Sequence, residues 1–208
     1  MLDAHLVKKL PDFTIDVELK TAKGEVSVLF GPSGSGKTTC LDMIAGLVHP
    51  DSGFIRMRDN TYFSSAQKPY PSEKRNVGYV MQDYALFPHM TTEKNVQYGM
   101  KSTGKTEKAL RLLEQFGIAH LRNAYPHEMS GGEKQRTAIA RALATEPSIL
   151  LLDEPLSALD DKARHDALKV ITDIQGNLNI PIIMVTHNWM EAEKVATHIY
   201  RFEKGRLI

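Results

Sequence analysis

The sequence predicts an α/β fold: a largely parallel sheet that binds a nucleotide triphosphate, interrupted by a helical lobe. Three observations carry this. Gly31-Pro-Ser-Gly-Ser-Gly-Lys37-Thr38 fits the G-x-x-x-x-G-K-[ST] phosphate loop without a mismatch and lies between a strand-like and a helix-like segment. Ile149 to Leu152 is an apolar run ending in two acids, Asp153 and Glu154, as a buried parallel strand ends at a ligand site. Strand and helix signals alternate after residue 143, whereas residues 83–125 carry mainly helical signals.

The elements follow in order. Phe13, Ile15, Val17 and Leu19 alternate with Thr14, Asp16, Glu18 and Lys20, the pattern of a half-buried strand. Gly24 to Phe30 is apolar and β-branched and predicts a buried strand, followed by the loop and then a helix over Lys37 to Ala45. A hairpin is expected around Gly53 to Asn60, and a strand over Val77 to Met81 that ends at Gln82. Helices are expected over Glu93 to Tyr98 and Glu107 to Phe116, the latter with Ala109, Leu112, Leu113 and Phe116 on one face. Lys101 to Lys105 separates them as a polar breaker. A helix over Glu133 to Leu143 and a strand over Ile182 to Thr186 follow.

The chemistry of the loop explains its residues. Gly31, Gly34 and Gly36 are expected to supply dihedrals that a Cβ would obstruct, so that the amides around Pro32, Ser33, Ser35 and Gly36 face one concavity. The phosphates then sit on a helix N-terminus. Lys37 reaches the β- and γ-phosphates, and the Thr38 hydroxyl, beside Thr39, becomes a Mg²⁺ ligand. Asp153 can hold Mg²⁺ through its water shell, and Glu154 can polarise an attacking water. Both acids could equally form a solvated turn before Pro155.

Met129-Ser-Gly-Gly-Glu-Lys-Gln-Arg136 resembles the signature sequence of ATP-binding-cassette (ABC) ATPases, with Met129 in place of the usual Leu and Glu133 in place of the usual Gln. Gln82 resembles that family's Q-loop, Ser157-Ala-Leu-Asp160 its D-loop, and His187 its switch histidine. The similarity runs from about Gly24 to the C-terminus. It implies an ABC-type P-loop fold: a mixed core sheet, an N-terminal antiparallel β subdomain, and an inserted helical subdomain over residues 83–130 between core segments 1–82 and 131–208. It also implies ATP and Mg²⁺ as ligands, with Thr38, Gln82 and Asp153 around the metal. Glu154, His187 and Gln82 would be catalytic, with His187 contacting the γ-phosphate. ATP would be sandwiched in a homodimer, the phosphate loop of one subunit facing Ser130, Gly131 and Gly132 of the other, with Asp160 crossing the seam. Ser130 also reads independently as a helix N-cap. The aromatic that stacks on adenine falls on Phe13, which plain core packing explains equally well.

Composition narrows the role. With 26 basic and 25 acidic residues the net charge is +1, which implies no bulk attraction to nucleic acid. No apolar run approaches the ~20 residues needed to cross a bilayer. The N-terminus lacks signal-peptide character, and the lone Cys40 suits a reducing compartment and buried packing. The other histidines, including His5, His49 and His198, show no metal-ligand spacing. Gln82 to Thr91 crowds Tyr84, Leu86, Phe87 and Met90 around Pro88, either as a loop packed on its own lobe or as a groove for a partner's helix. Asp83 to Thr91, with Pro71 to Gly78 before it, resembles bacterial importer ATPases. The short entry Leu10 to Val17 resembles the molybdate-type members. The resemblance thus implies a motor for oxyanion uptake (molybdate or sulfate), peripheral on the cytoplasmic side of the membrane, docking a permease near Tyr84–Thr91 and served by a solute-binding protein. An export ATPase and a soluble, non-transport cassette ATPase are the alternatives. The ending at Lys204 to Ile208 reads as one arm of a final hairpin and leads us to expect a truncated or unusually short member, since such importers usually continue into a β-rich regulatory domain.

Overall fold

The computed structural model describes residues 1–100 and 104–208. Two sheets form around buried alternating strands. β1 (Leu2–Lys9), β2 (Thr14–Thr21), β4 (Ser52–Met57) and β5 (Asn60–Ser64) make an antiparallel sheet in the order β2-β1-β4-β5. In β2, Ile15, Val17, Leu19 and Thr21 are buried and the residues between them exposed, which is the period-2 pattern of the sequence. The second sheet has the order β10-β9-β3-β8-β7-β6. It comprises β3 (Val26–Phe30), β6 (Val77–Val80), β7 (Ile149–Asp153), β8 (Ile182–Thr186), β9 (His198–Glu203) and β10 (Arg206–Leu207). Its strands are parallel except for the β9–β10 hairpin.

β7 and β8 are buried along their whole length, because helices cover both faces of the sheet. Alternate side chains serve two cores. Ile149, Leu151, Ile183 and Val185 pack with α1 (Lys37–Ala45) and the antiparallel sheet, and Leu150, Leu152, Ile182 and Met184 pack with the remaining helices. Those helices are α2 (Thr92–Gln97), α3 (Lys105–Gln115), α4 (Gly131–Leu143), α5 (Asp161–Leu178) and α6 (Trp189–Val195). The polar breaker expected over Lys101 to Lys105 falls largely outside the described residues; α3 begins at Lys105 after Gly104 at φ 76°.

The structure shifts several expected boundaries. α4 starts at Gly131, two residues before the periodic apolar pattern begins, because the glycines already have helical geometry behind the Ser130 cap. β6 ends at Val80, so Met81 and Gln82 both belong to the turn that leaves the sheet.

One residue holds the α1 layer in place without any local signal in the sequence. Arg75 is fully buried and donates to the carbonyls of Met43 and Ile44 at 2.8 and 2.9 Å, to Tyr70 at 3.1 Å and to Tyr62 at 3.2 Å. It thereby caps the C-terminal carbonyls of α1, where a positive charge is favoured. Cys40 is buried on the same helix, and its burial raises the thiol far above the ordinary range, which suits packing rather than nucleophilic chemistry.

Candidate functional site

β3 delivers the chain to the phosphate loop, and α1 leaves from it. Gly36, at φ 102°, is the N-cap of α1 and supplies no side-chain cap, so the first amides of the helix are left to an external acceptor. Gly34 is also left-handed, at φ 78°. Gly31 differs from the expectation: its φ is not positive, and a Cβ there would lie 2.1 Å from the Phe202 carbonyl oxygen, so packing against β9 demands the glycine. The far end of the chain braces the loop as well. Gly205, in the β9–β10 turn, donates to the Ser35 carbonyl at 3.0 Å and accepts from Asp16 N at 2.8 Å. Phe13 stands next to this brace, close to Gly36 and Gly205 and partly buried at the core edge.

Lys37 is buried, and its Nζ donates to the Gly31 and Pro32 carbonyls at 2.9 and 2.7 Å and to Ser35 Oγ at 3.3 Å. Burial lowers its pKa, against the pull of Glu154 and Asp153, which favour the charged form. Thr38 Oγ1 donates to Asp153 Oδ1 at 3.0 Å, joining the start of α1 to the end of β7 across 115 residues of sequence. Asp153 has a raised pKa, chiefly from burial and further from Asp42 and Glu154, with the Thr38 hydrogen bond and Lys37 opposing. Thr38, Gln82, Asp153 and Ser157 line one open cavity of about 530 Å³ together with Asp42 and Tyr79. A hydroxyl, an amide and a carboxylate facing one space are the hard oxygen donors a Mg²⁺ ion takes, so these residues fit that ion.

Glu154 follows Asp153 at φ 43°, a left-handed conformation that costs a non-glycine residue energy and that clusters at functional sites. The turn is held by Glu154 N donating to Val185 O at 3.1 Å and by Ser157 N and Oγ donating to Glu154 O at 3.2 and 3.0 Å. This bend brings Glu154 Oε2 within 3.2 Å of His187 Nδ1, with His187 half exposed at the end of β8. The two acids therefore do not form a solvated turn: Asp153 is buried and Glu154 is held by its neighbours.

Ser130, Gly131 and Gly132 lie outside that cavity. Ser130 Oγ accepts from Glu133 N at 3.4 Å, while the Glu133 carboxylate accepts from Ser130 N at 2.8 Å and from Ser130 Oγ at 2.7 Å, a reciprocal capping box. These bonds hold the Glu133 carboxyl below the usual carboxylate range, with a smaller contribution from His120. A Cβ on Gly131 would meet Leu159 at 3.3 Å, and one on Gly132 would meet Ala163 at 3.4 Å, so this helix start packs directly on the segment that carries Asp160. Asp160 is the N-cap of α5, its Oδ1 accepting from Ala163 N at 2.8 Å, and it is exposed.

Sequence reasoning missed the residues that shape Gln82 to Thr91. Tyr84 and Ala85 are left-handed at φ 63° and 43°, and Arg141 of α4 holds that turn by donating to their carbonyls at 2.9 and 2.6 Å. Buried Asn95 accepts from Phe87 N at 2.9 Å and donates to the carbonyls of Phe87, Met90 and Thr91 at 3.0 to 3.2 Å. Tyr84 is buried; Phe87 is half-buried against Tyr98 and lines a cavity of about 390 Å³ with Tyr98 and Arg141.

A phosphate loop, paired acids at the end of a buried parallel strand and a histidine at the next strand end define a P-loop nucleotide-binding protein of the α/β class. Residues 15–157 match the ABC transporter family profile, and the chain belongs to that family. It is 40% identical over 206 residues to the molybdenum import ATP-binding protein ModC of Haemophilus influenzae, covering 99% of this chain and 58% of that protein. It is 39% identical over 210 residues to the molybdate/tungstate import ATP-binding protein WtpC of Archaeoglobus fulgidus, covering 100% and 85%. The chain thus spans little more than half the length of the ModC relative. Among solved structures, a dimeric ATP-binding cassette in a post-hydrolysis state with ADP and phosphate superposes with a TM-score of 0.82 at 27% identity, covering 100% of this chain and 96% of that one. An ADP-bound ATP-binding cassette of an ABC transporter has the same fold, with a TM-score of 0.86 at 24% identity over 100% of this chain and 89% of that one.

Proposed function

We propose that the chain is the ATP-hydrolysing subunit of an importer for a tetrahedral oxyanion, molybdate or tungstate by the names of its relatives. The observation that carries the reading is the convergence of Thr38, Gln82 and Asp153 on one cavity, with Glu154 and His187 paired at 3.2 Å beside it. The triphosphate lies on the amides of Gly31 to Thr39, and Lys37 exchanges its present neutral acceptors for phosphate oxygens. Thr38, Gln82 and Asp153 would hold Mg²⁺, which when bound would neutralise charge at the phosphates. Glu154 accepts the proton of the attacking water, and His187 fixes the orientation of that carboxylate.

The site is completed by a second copy. Ser130 and Asp160 are exposed, Gly131 is partly exposed, and none of the three lines the metal cavity; the dimeric cassette of similar fold supports a facing arrangement. The core residues 1–82 and 131–208 then bind nucleotide, while the lobe over residues 83–130 presents Tyr84 to Thr91 to a permease at the cytoplasmic membrane face. A solute-binding protein delivers the oxyanion on the other side. No helix among the described residues is long and apolar enough to cross a membrane.

The test is molybdate-dependent uptake by cells or vesicles carrying the chain with its permease, beside ATPase activity of the isolated chain. ATP turnover with uptake of molybdate or tungstate supports the reading; turnover coupled to outward movement or to no membrane protein contradicts the importer assignment.

A further inference from the structure

An ion pair between a buried carboxylate and a partly exposed arginine links two segments of the proposed site that lie far apart in the chain. Glu191, on α6, is buried at 5% exposure. Its Oε2 accepts from Thr186 Oγ1 at 2.6 Å, and Thr186 Oγ1 in turn accepts from Asn188 N at 3.0 Å, so the carboxylate holds one neighbour of His187 directly and the other through the Thr186 hydroxyl. Its Oε1 lies 3.3 Å from Arg164 Nε of α5, a contact between opposite charges without hydrogen-bond geometry. The Arg164 fork continues the line: Nη2 donates to the Leu159 carbonyl at 2.8 Å, and Nη1 donates to exposed Asp161 at 2.6 Å. Leu159 is the residue against which Gly131 packs, and it directly precedes Asp160.

A carboxylate this far from water is stable only when paired, so the cost of its burial is met by a fixed geometry on both sides. Stability alone would be served as well by apolar residues of similar volume. The pair instead connects the start of α4, through Leu159 and Arg164, to the backbone that aims His187 at Glu154.

We propose that Arg164 and Glu191 are positioning residues for hydrolysis: they tie the cross-subunit segment Ser157–Asp160 to the switch His187 within one chain. A displacement of the facing subunit's nucleotide from Ser130 and Asp160 is then felt at this subunit's own Glu154–His187 pair. The inference rests on the ATPase reading above. Neither residue belongs to the phosphate loop or lines the cavity of Thr38, Gln82 and Asp153, so nucleotide binding to the loop is expected to be independent of them.

The experiment measures steady-state ATPase rate, ATP affinity of the dilute chain and melting temperature for Glu191→Gln, Arg164→Lys and the double variant. Glu191→Gln keeps size and can still accept from Thr186. Arg164→Lys keeps the charge but cannot reach Leu159 and Glu191 together. Each single variant is expected to lose about 10- to 100-fold in kcat, the scale of a misplaced catalytic group. ATP affinity should stay within about twofold, and the double variant should be no slower than the slower single variant, as for residues acting as a unit. Wild-type kcat in either folded variant overturns the proposal. So do losses that multiply in the double variant, or a fall in ATP affinity matching the fall in kcat, since these mark a merely structural pair. Should Glu191→Gln fail to fold, Arg164→Lys alone decides: wild-type kcat overturns, and a kcat-only loss supports. A wild-type chain without ATPase activity would instead overturn the reading beneath, a distinct result.

Discussion

The helix starts of α1 and α4 are both glycine-rich, yet they are finished in opposite ways. α1 begins behind Gly36 with no side chain on its free amides, and the nearest charge is a buried lysine. α4 begins behind Ser130 with a complete capping box, its first amide and hydroxyl both held by Glu133. The first is a site waiting for an anion within its own subunit, preorganised by packing against β9 and the terminal hairpin. The second is self-satisfied, so in the proposed dimer a partner's phosphate would have to compete with Glu133 for the Ser130 hydroxyl. On the proposed reading the difference suits sequential use, with nucleotide binding at α1 before closure on α4.

The largest effect expected on this contrast comes from the acid that follows β7. Glu154→Gln should reduce single-turnover hydrolysis by about 10²- to 10⁴-fold while ATP still binds, because an amide cannot take up the proton. Hydrolysis at the wild-type rate would remove Glu154 from the chemistry. Next, Lys37→Ala should weaken ATP affinity of the monomer by about tenfold or more, through loss of a charge-assisted contact. Ser130→Arg should leave that affinity unchanged in a calorimetric titration of dilute protein. Equal losses would erase the distinction between the starts.

The docking segment gives the third test. Phe87→Asp should cost several-fold or more in permease assembly, because it places a carboxylate where docking removes water, while soluble ATPase activity survives. Normal assembly would mean that Phe87 serves only its own lobe, against Tyr98.

The smallest effect concerns Glu133. Its carboxyl is held below the ordinary range by Ser130, so its contribution is present above the unfolded value and is lost as pH falls through the lower folded one. Ser130→Ala should cost about 1 kcal/mol of stability near neutral pH. That difference should shrink in acid, below the ordinary carboxylate range, when melting is followed against pH. A constant difference would show that the carboxylate adds nothing to the cap.

Much of the site was legible because its chemistry is written in short, local spacings. The phosphate loop, Asp153-Glu154 and Ser130 to Glu133 each need neighbours a few residues away, and the strands that carry them announce themselves by apolar runs. Arg75, Asn95, Arg141 and Glu191 were not legible. Arg75 caps carbonyls 31 and 32 residues back, and Arg141 grips carbonyls 56 and 57 residues away, so nothing near them in the chain marks them. Gly31 was legible as a glycine but for another reason, since the Phe202 carbonyl that excludes a Cβ comes from the far end of the sheet.

The central claim is that ATP joins the open start of α1 to the capped start of α4 across two subunits. Sedimentation of Glu154→Gln with ATP tests it most directly, alongside the same variant carrying Ser130→Arg. The account predicts an ATP-dependent dimer for the first and, for the second, a monomer that still binds ATP with unchanged affinity. A dimer that persists with Ser130→Arg would contradict it.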